Sequence, residues 1–385
     1  MRKAKNSIRV LVVGQTPPPF HGQSIMIQML VDGPMDGVEV CHLRMAFSDK
    51  MDQVGRFQVG KIIHLVYLIF AIFWLRIRYR IQVLYFPPAG PNRIPLIRDT
   101  LLLLPTRWLF KKTVFHFQAS GVSELIVKLP AWQRFFVMRA MIRPDAAIQL
   151  SALTVADAKF FDAKRTYYIP NAADDFVGKK LPIRTHDGDG LKTRILYVGT
   201  VCETKGILVL LDALASLHGE LKSIHLDIVG SFQPSSFEAV VRRKIDSLNL
   251  SSDVSVHGQR IGDEKWTMFA NADLFCFPTY YESEGFPCVL VEAMSFSLPV
   301  ISTRWRGIPS IVADGETGYL VDIRDIEGLA SRIARLASDD SLREAMGKRA
   351  RARYETEFTR PMHLQQMSQV FLDVANATTS ESVSA

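Results

Sequence analysis

The chain has 385 residues, 48% of them apolar, with 46 Lys and Arg against 39 Asp and Glu. At roughly 150 residues per domain this length suggests two domains or slightly more, each with a sizeable core, which excludes a disordered tail, a collagen-like chain and a disulfide miniprotein. Charge is uneven: residues 1–150 carry 20 Lys and Arg against 8 Asp and Glu, a balance of +12, and the remainder 26 against 31, or −5.

Only the first half is therefore expected to face an anionic partner, with nucleic acid and a membrane surface both open on charge alone. Cys41, Cys202, Cys276 and Cys288 show no CxxC spacing and read as free thiols of a reducing cytosol. Arg2, Lys3 and Lys5 ahead of an apolar run look superficially like an export signal. That run ends at Gly14 before Pro17, Pro18 and Pro19 without a small-residue cleavage site, so it reads as a first core strand.

In chain order, β-branched runs alternate with longer helical patterns. The first series of strand candidates is Ile8–Gly14, Val38–Leu43, Ile81–Phe86, Thr113–His116, Ala146–Leu150 and Tyr167–Ile169. Between the second and third lies Ile62–Leu75, apolar apart from His64 and followed by Arg76, Arg78 and Arg80. No uninterrupted apolar run reaches the roughly 18–20 residues of a spanning helix, so this segment is expected to be core or to dip partly into lipid, not to span. Lys179–Lys192, with Pro182 and Thr185-His186-Asp187-Gly188-Asp189-Gly190, is the clearest linker and a candidate hinge. Asp187-Gly-Asp189 has the DxD form of a metal clamp but lacks a preceding apolar strand, and reads as an ordinary turn.

The second series is Arg194–Gly199, His225–Gly230, Val254–His257, Leu274–Pro278, Pro299–Ser302 and Gly318–Val321, after which the chain turns helical and closes near Pro361–Val374. Such alternation argues for parallel sheets with crossover helices, an α/β architecture of two Rossmann-like domains. Gly14-Gln-Thr-Pro-Pro-Pro-Phe-His-Gly22 after the first strand is not GxGxxG, which weakens the case for a hydride-transferring dinucleotide enzyme.

Phe277 to Met294 carries the most chemistry. A strand ends, a polar loop follows, and a helix is expected to begin at Pro287, a residue favoured in the first helical position. The Gly285 and Phe286 amides would then stand at a helix N-terminus, a site that attracts phosphate. Glu284 and Glu292 flank it and suit hydrogen bonds from sugar hydroxyls. Taken singly, Glu284 reads as a solvated loop carboxylate, Glu292 as a surface helix residue and Lys205 as a solvated helix-start lysine.

Taken together, Glu284-x7-Glu292 within EGFPCVLVEAM, the following LPVIST, Gly307 and Asp314-Gly-Glu-Thr-Gly resemble the retaining GT-B glycosyltransferases of family 4, often called group 1. Ile195-Leu-Tyr-Val-Gly199 with Lys205-Gly206, Leu226-Asp-Ile-Val-Gly230 and Val256-His-Gly258 extend the resemblance over roughly 130 residues. It implies two Rossmann-like domains facing a central cleft: an acceptor domain over 1–182, a donor domain over 192–355, and 356–385 as a helix crossing back to the first domain plus a tail. It implies transfer of a sugar from a UDP- or GDP-sugar to a hydroxyl of a glycan or lipid-linked acceptor, with no cofactor or metal; the free thiols and the basic region around Ile62–Leu75 add the expectation of a cytoplasmic protein able to sit on the inner face of a membrane. Glu292 would take the donor ribose, while Glu284 and the Gly285, Phe286 and Pro287 segment would hold the transferred sugar and phosphate. Lys205 would offset charge on the leaving diphosphate.

Thr200 stands where many relatives have an arginine, leaving Lys205 as the main cation with Arg260 or Arg304 as substitutes, and Ser310 stands where a glutamate is common. His21-Gly22 replaces two adjacent glycines in the loop that brings backbone amides to the donor phosphate. His116 ends a strand where relatives have a histidine and is a candidate contact for sugar or acceptor; a lone strand histidine is also an ordinary core residue. The rival readings are an epimerase or phosphorylase of the same fold and, from another class, a basic nucleic-acid-binding protein. The last lacks RNP, KH and zinc signatures, so nucleic acid is not an expected partner.

Overall fold

Ile8–Gly14 is buried along nearly its whole length, as a strand covered on both faces must be, and it forms β1. The computed structural model describes residues 7–47, 59–176, 181, 193–217 and 224–377. After β1 come α1 (Gly22–Asp32), β2 (Val38–Arg44), α2 (Val59–Tyr79), β3 (Val83–Phe86), α3 (Arg93–Thr106) and β4 (Lys112–Phe117). Then follow α4 (Val122–Val127), α5 (Ala131–Met141), β5 (Ala146–Gln149), α6 (Asp157–Phe160) and β6 (Thr166–Tyr168). These six strands form one parallel sheet in the order β2-β1-β3-β4-β5-β6.

The second series repeats the pattern: β7 (Thr193–Val198), α7 (Ile207–Ser216), β8 (Ile224–Val229), α8 (Phe237–Ser247), β9 (Val254–Gly258), α9 (Asp263–Ala270) and β10 (Leu274–Phe277). It continues with α10 (Cys288–Ser295), β11 (Val300–Thr303), β12 (Gly318–Val321), α11 (Ile326–Ser338) and α12 (Asp340–Glu357). Its sheet is also parallel, in the order β12-β11-β10-β7-β8-β9. Every strand candidate thus corresponds to a strand; the interior strands are apolar runs buried on both faces, the local requirement of a parallel sheet, while the edge strands β2, β6 and β9 are only partly buried.

The chain divides into two units, Met1–Asn171 with Arg360–Ala385, and Ala172–Thr359. The closing helix, α13 (Arg360–Asn376), returns to the first unit: Leu364, Met367, Val370 and Phe371 pack with Val10, Val12, Tyr85 and Val114. The linker and hinge expected at 179–192, including Asp187-Gly-Asp189, lie outside the described residues apart from Leu181, as does the tail from 378 onward.

α2 corrects one expectation. It runs 21 residues, taking in Lys61 at its start and Arg76 and Arg78 at its end, and is long and apolar enough in length and composition to cross a membrane. Counting only uninterrupted apolar residues stops at the first arginine, whereas arginine and lysine are good helix formers and continue the helix.

In the second sheet the strand order reverses between β7 and β10. Open α/β sheets bind ligands outside the carboxyl ends of their strands at such a switch point. The loops after β7 and β10 carry Lys205 and Glu284.

Candidate active site in the second unit

Beyond β7 the backbone makes a short 3₁₀ turn, Glu203–Lys205, closed by Gly206 at φ +80°. A Cβ at Gly206 would lie 2.0 Å from the Pro278 carbonyl oxygen, so glycine is required both by dihedral and by the close approach of the loop after β10. The Tyr280 amide donates to the Thr204 carbonyl at 2.8 Å. The turn bearing Lys205 is thereby clamped to the loop bearing Glu284.

The two side chains meet. Lys205 Nζ lies 2.5 Å from Glu284 Oε2, which also accepts from Thr279 Oγ1 at 3.0 Å. The ammonium sits over the rings of Tyr281 (4.6 Å) and Phe277 (5.3 Å). With side-chain exposures of 15% and 9%, neither is the solvated residue that each resembles singly. Charges this far from water need such pairing, and the rings add a cation–π contact.

Glu292 lies one helix turn and more into α10 and is equally buried, with both carboxylate oxygens 2.7 Å from Lys265 Nζ. Lys265 belongs to α9 and lies over the Trp266 ring at 4.5 Å. Sequence reasoning missed Lys265, because nothing in Asp263-Glu264-Lys265-Trp266 distinguishes it from a solvated helix lysine; its partner is 27 residues away.

Pro287 is the N-cap of α10, at φ −66° and ψ 111°, and Cys288 is the first helical residue, one position later than expected. No side chain caps this end and its first turn holds no acid, while Gly285 and Phe286 are buried beside it, Phe286 against Phe358. Neither a capping side chain at Pro287 nor an acid in the first turn offsets the positive end of the helix dipole there. Burial pushes the Cys288 thiol up to about 12, leaving it a neutral, poor nucleophile.

The remaining candidates make other contacts. The Thr200 carbonyl accepts from Tyr197 Oη at 3.2 Å. Arg260 pairs with Glu264 and Arg304 with Asp314 and Asp322, and Ser310 Oγ bonds the Gly307 carbonyl. Gly22 and His116 belong to the first unit. Gly22 opens α1 behind a capping box in which His21 and Ser24 exchange hydrogen bonds. His116 has no exposed surface; its Nδ1 is 2.8 Å from Tyr85 Oη, and burial holds it neutral, well below the usual histidine range.

A hollow of about 430 Å³ opens past the carboxyl ends of β8 and β9, lined by Gly230, Ser231, Phe232, His257, Gly258 and Gln259 among others. It has the volume of a small-ligand site. His257 Nε2 is held 2.7 Å from Asp227 Oδ1. Because β10, β7, β8 and β9 are successive neighbours, the Glu284 loop, the Lys205 turn and this hollow follow one another along a single sheet edge. At roughly 4.8 Å per strand the row is about 14 Å long.

The two parallel six-stranded sheets match solved structures over nearly their whole length. The chain aligns at TM-score 0.73 and 18% identity with sucrose-phosphate synthase from Thermosynechococcus elongatus, over 96% of this chain and 100% of that one. It aligns at TM-score 0.71 and 17% identity with Anabaena HepE in complex with UDP and glucose, over 95% and 100%. These likenesses identify the GT-B fold. Residues 185–353 match the model of the family described as Glycosyl transferases group 1, and that segment belongs to the group 1 glycosyltransferases. Among curated relatives, the capsular polysaccharide biosynthesis glycosyltransferase CapM of Staphylococcus aureus is 31% identical over 163 residues, 42% of this chain and 41% of CapM. The chain thus matches less than half the length of that relative.

Proposed function

We propose that the chain transfers a glycosyl group from a nucleotide-sugar to a hydroxyl acceptor with retention of anomeric configuration. The donor lies along the carboxyl edge of the second sheet. Its sugar sits at the Glu284 loop, its diphosphate at Lys205 and the α10 amides, its ribose at Glu292, and its base toward the hollow past β8 and β9. The UDP and glucose named with HepE, and the polysaccharide biosynthesis named for CapM, support a UDP-sugar donor and a glycan or lipid-linked acceptor. The acceptor is assigned to the first unit.

One observation carries the reading: an ammonium and a carboxylate, both nearly buried, are paired at the topological switch point beside an uncapped helix N-terminus. In the free protein Glu284 neutralises Lys205. A bound donor re-partners them, phosphate taking the ammonium and sugar hydroxyls taking the carboxylate. The acceptor hydroxyl then attacks the anomeric carbon on the face from which the nucleotide leaves, and the departing phosphate accepts its proton. Lys205 and the amide dipoles stabilise the charge that develops there, without calling on a metal ion. His116 takes no direct part in this scheme, since its ring is enclosed.

Turnover of UDP- and GDP-sugars and product anomer analysis test the proposal. Glu292→Ala is expected to weaken donor binding, Lys205→Ala to lower turnover by about a hundredfold or more, the usual loss when one oxyanion-type donor is removed, and Glu284→Ala to lower turnover by unseating the transferred sugar. Wild-type rates in all three variants would put the site elsewhere, and an inverted product would remove the stereochemical assignment.

A further inference from the structure

We propose that the outer face of the α2–α3–α5 layer is a docking surface for an anionic lipid bilayer, with α2 lying in the interface plane. This rests on the first unit alone and stands whether or not the donor chemistry is as proposed.

All three helices pack on the same side of the first sheet. Leu68 and Ile72 of α2, Leu96, Leu102 and Leu103 of α3, and Val137, Ala140 and Met141 of α5 belong to one core cluster. The faces turned away from that cluster therefore share one surface. On α2 this surface shows Ile63, Tyr67, Phe70, Trp74 and Ile77, each more than half exposed. Their alternating spacing of four and three residues makes a continuous stripe along the helix. Ile97 and Leu101 on α3 and Trp132, Phe135 and Phe136 on α5 extend it with further exposed apolar side chains. A soluble surface seldom carries an apolar patch spread over three helices unless something covers it.

Charge identifies what covers it. From Arg56 to Arg143 the sequence holds fourteen Lys and Arg and only two acids, Asp99 and Glu124. Asp99 is buried and paired with Arg98, and α2 and α5 contain no acid. Arg78, Arg80, Lys111, Arg134 and Arg139 are exposed around the stripe, Arg139 over the Trp108 ring at 4.3 Å and Arg78 over Tyr79 at 5.4 Å. Aliphatic and aromatic groups ringed by arginine and tryptophan match the acyl–headgroup boundary of an anionic leaflet. A second copy would bring the same positive charge against itself.

Although α2 has the length and composition to span, Leu68 and Ile72 are held in the core and Arg76 Nε donates to the Leu109 carbonyl at 2.9 Å. Crossing the bilayer would strip these contacts, so the helix docks lengthwise.

The test is flotation of the full chain with phosphatidylglycerol vesicles and with phosphatidylcholine vesicles, read alongside tryptophan emission. Wild type is expected to float with the anionic vesicles with a blue-shifted emission, and to come off in alkaline carbonate. Phe70→Ser/Trp74→Ser and, separately, Arg78→Glu/Arg134→Glu should each lower partitioning about tenfold or more, with unchanged circular dichroism because all four side chains are exposed. No flotation by wild type, or flotation unaffected in both variants, overturns the proposal. Resistance to carbonate overturns the in-plane arrangement, and a vesicle-free dimer abolished by Phe70→Ser/Trp74→Ser would show that a second copy covers the face.

Discussion

Glu292 is buried in a helix, and its pairing with Lys265 makes that tolerable. Side-chain exposures of 15% and 6% leave little water to screen or replace the pair. Removing one partner of such a pair typically costs about 3–5 kcal/mol, since a charge is left without compensation. Lys265→Met is therefore expected to lower the urea stability of the second unit by about 3 kcal/mol, and the double variant Lys265→Met/Glu292→Gln to lose clearly less than the single. Equal stability of Lys265→Met and wild type would mean the pair contributes nothing. Glu284 and Glu292 were legible in the sequence through their spacing within a family pattern, whereas Lys265 was not, because no local signal marks a lysine whose partner arrives from another helix.

The Lys205 turn owes its position to packing between two loops rather than to helix propensity. Gly206 and Gly315 share a φ of +80°, but a Cβ at Gly315 meets nothing within 4 Å while one at Gly206 strikes the Pro278 carbonyl. Gly315→Ala should cost only the dihedral penalty, about 1 kcal/mol. Gly206→Ala should lower the thermal midpoint further and, by moving Lys205 off Glu284, reduce turnover as well. Matching losses in the two variants would remove the steric argument. The interior strands were readable almost to their ends because burial on both faces is written into their apolar runs, and the edge strands through their β-branched and aromatic residues. Helix limits were less so: α2 passes beyond its apolar run, and α10 begins one residue after the proline expected to open it.

For the whole molecule, acid is expected to weaken the first unit. Burial lowers His363 from 6.5 to about 4, and lowers His116 well below its ordinary value with His363 repelling a second charge. Both are neutral when folded and bind protons when unfolded, so stability present above pH 6.5 is lost as pH falls toward 4. For His363 alone the loss reaches about 3 kcal/mol by pH 4. Burial raises the carboxyls of Asp99 and Asp157, which act in the opposite sense, so a variant isolates the imidazole better than the wild-type curve does. His363→Gln keeps a donor for the Pro170 carbonyl, which His363 Nδ1 meets at 2.8 Å, and should flatten the thermal midpoint between pH 6.5 and 4. An unchanged slope would assign the acid sensitivity to other groups.

Residue order by itself determined the two α/β halves, the strands and the family motifs, because periodicity and residue spacing are properties of short segments. Tertiary structure alone decided which charges became partners, that the Lys205 and Glu284 loops flank a reversal of strand order, and that α2 turns one face to the core and leaves the other uncovered. Those outcomes depend on which distant elements become neighbours, and adjacency in space is not encoded in any one stretch of chain.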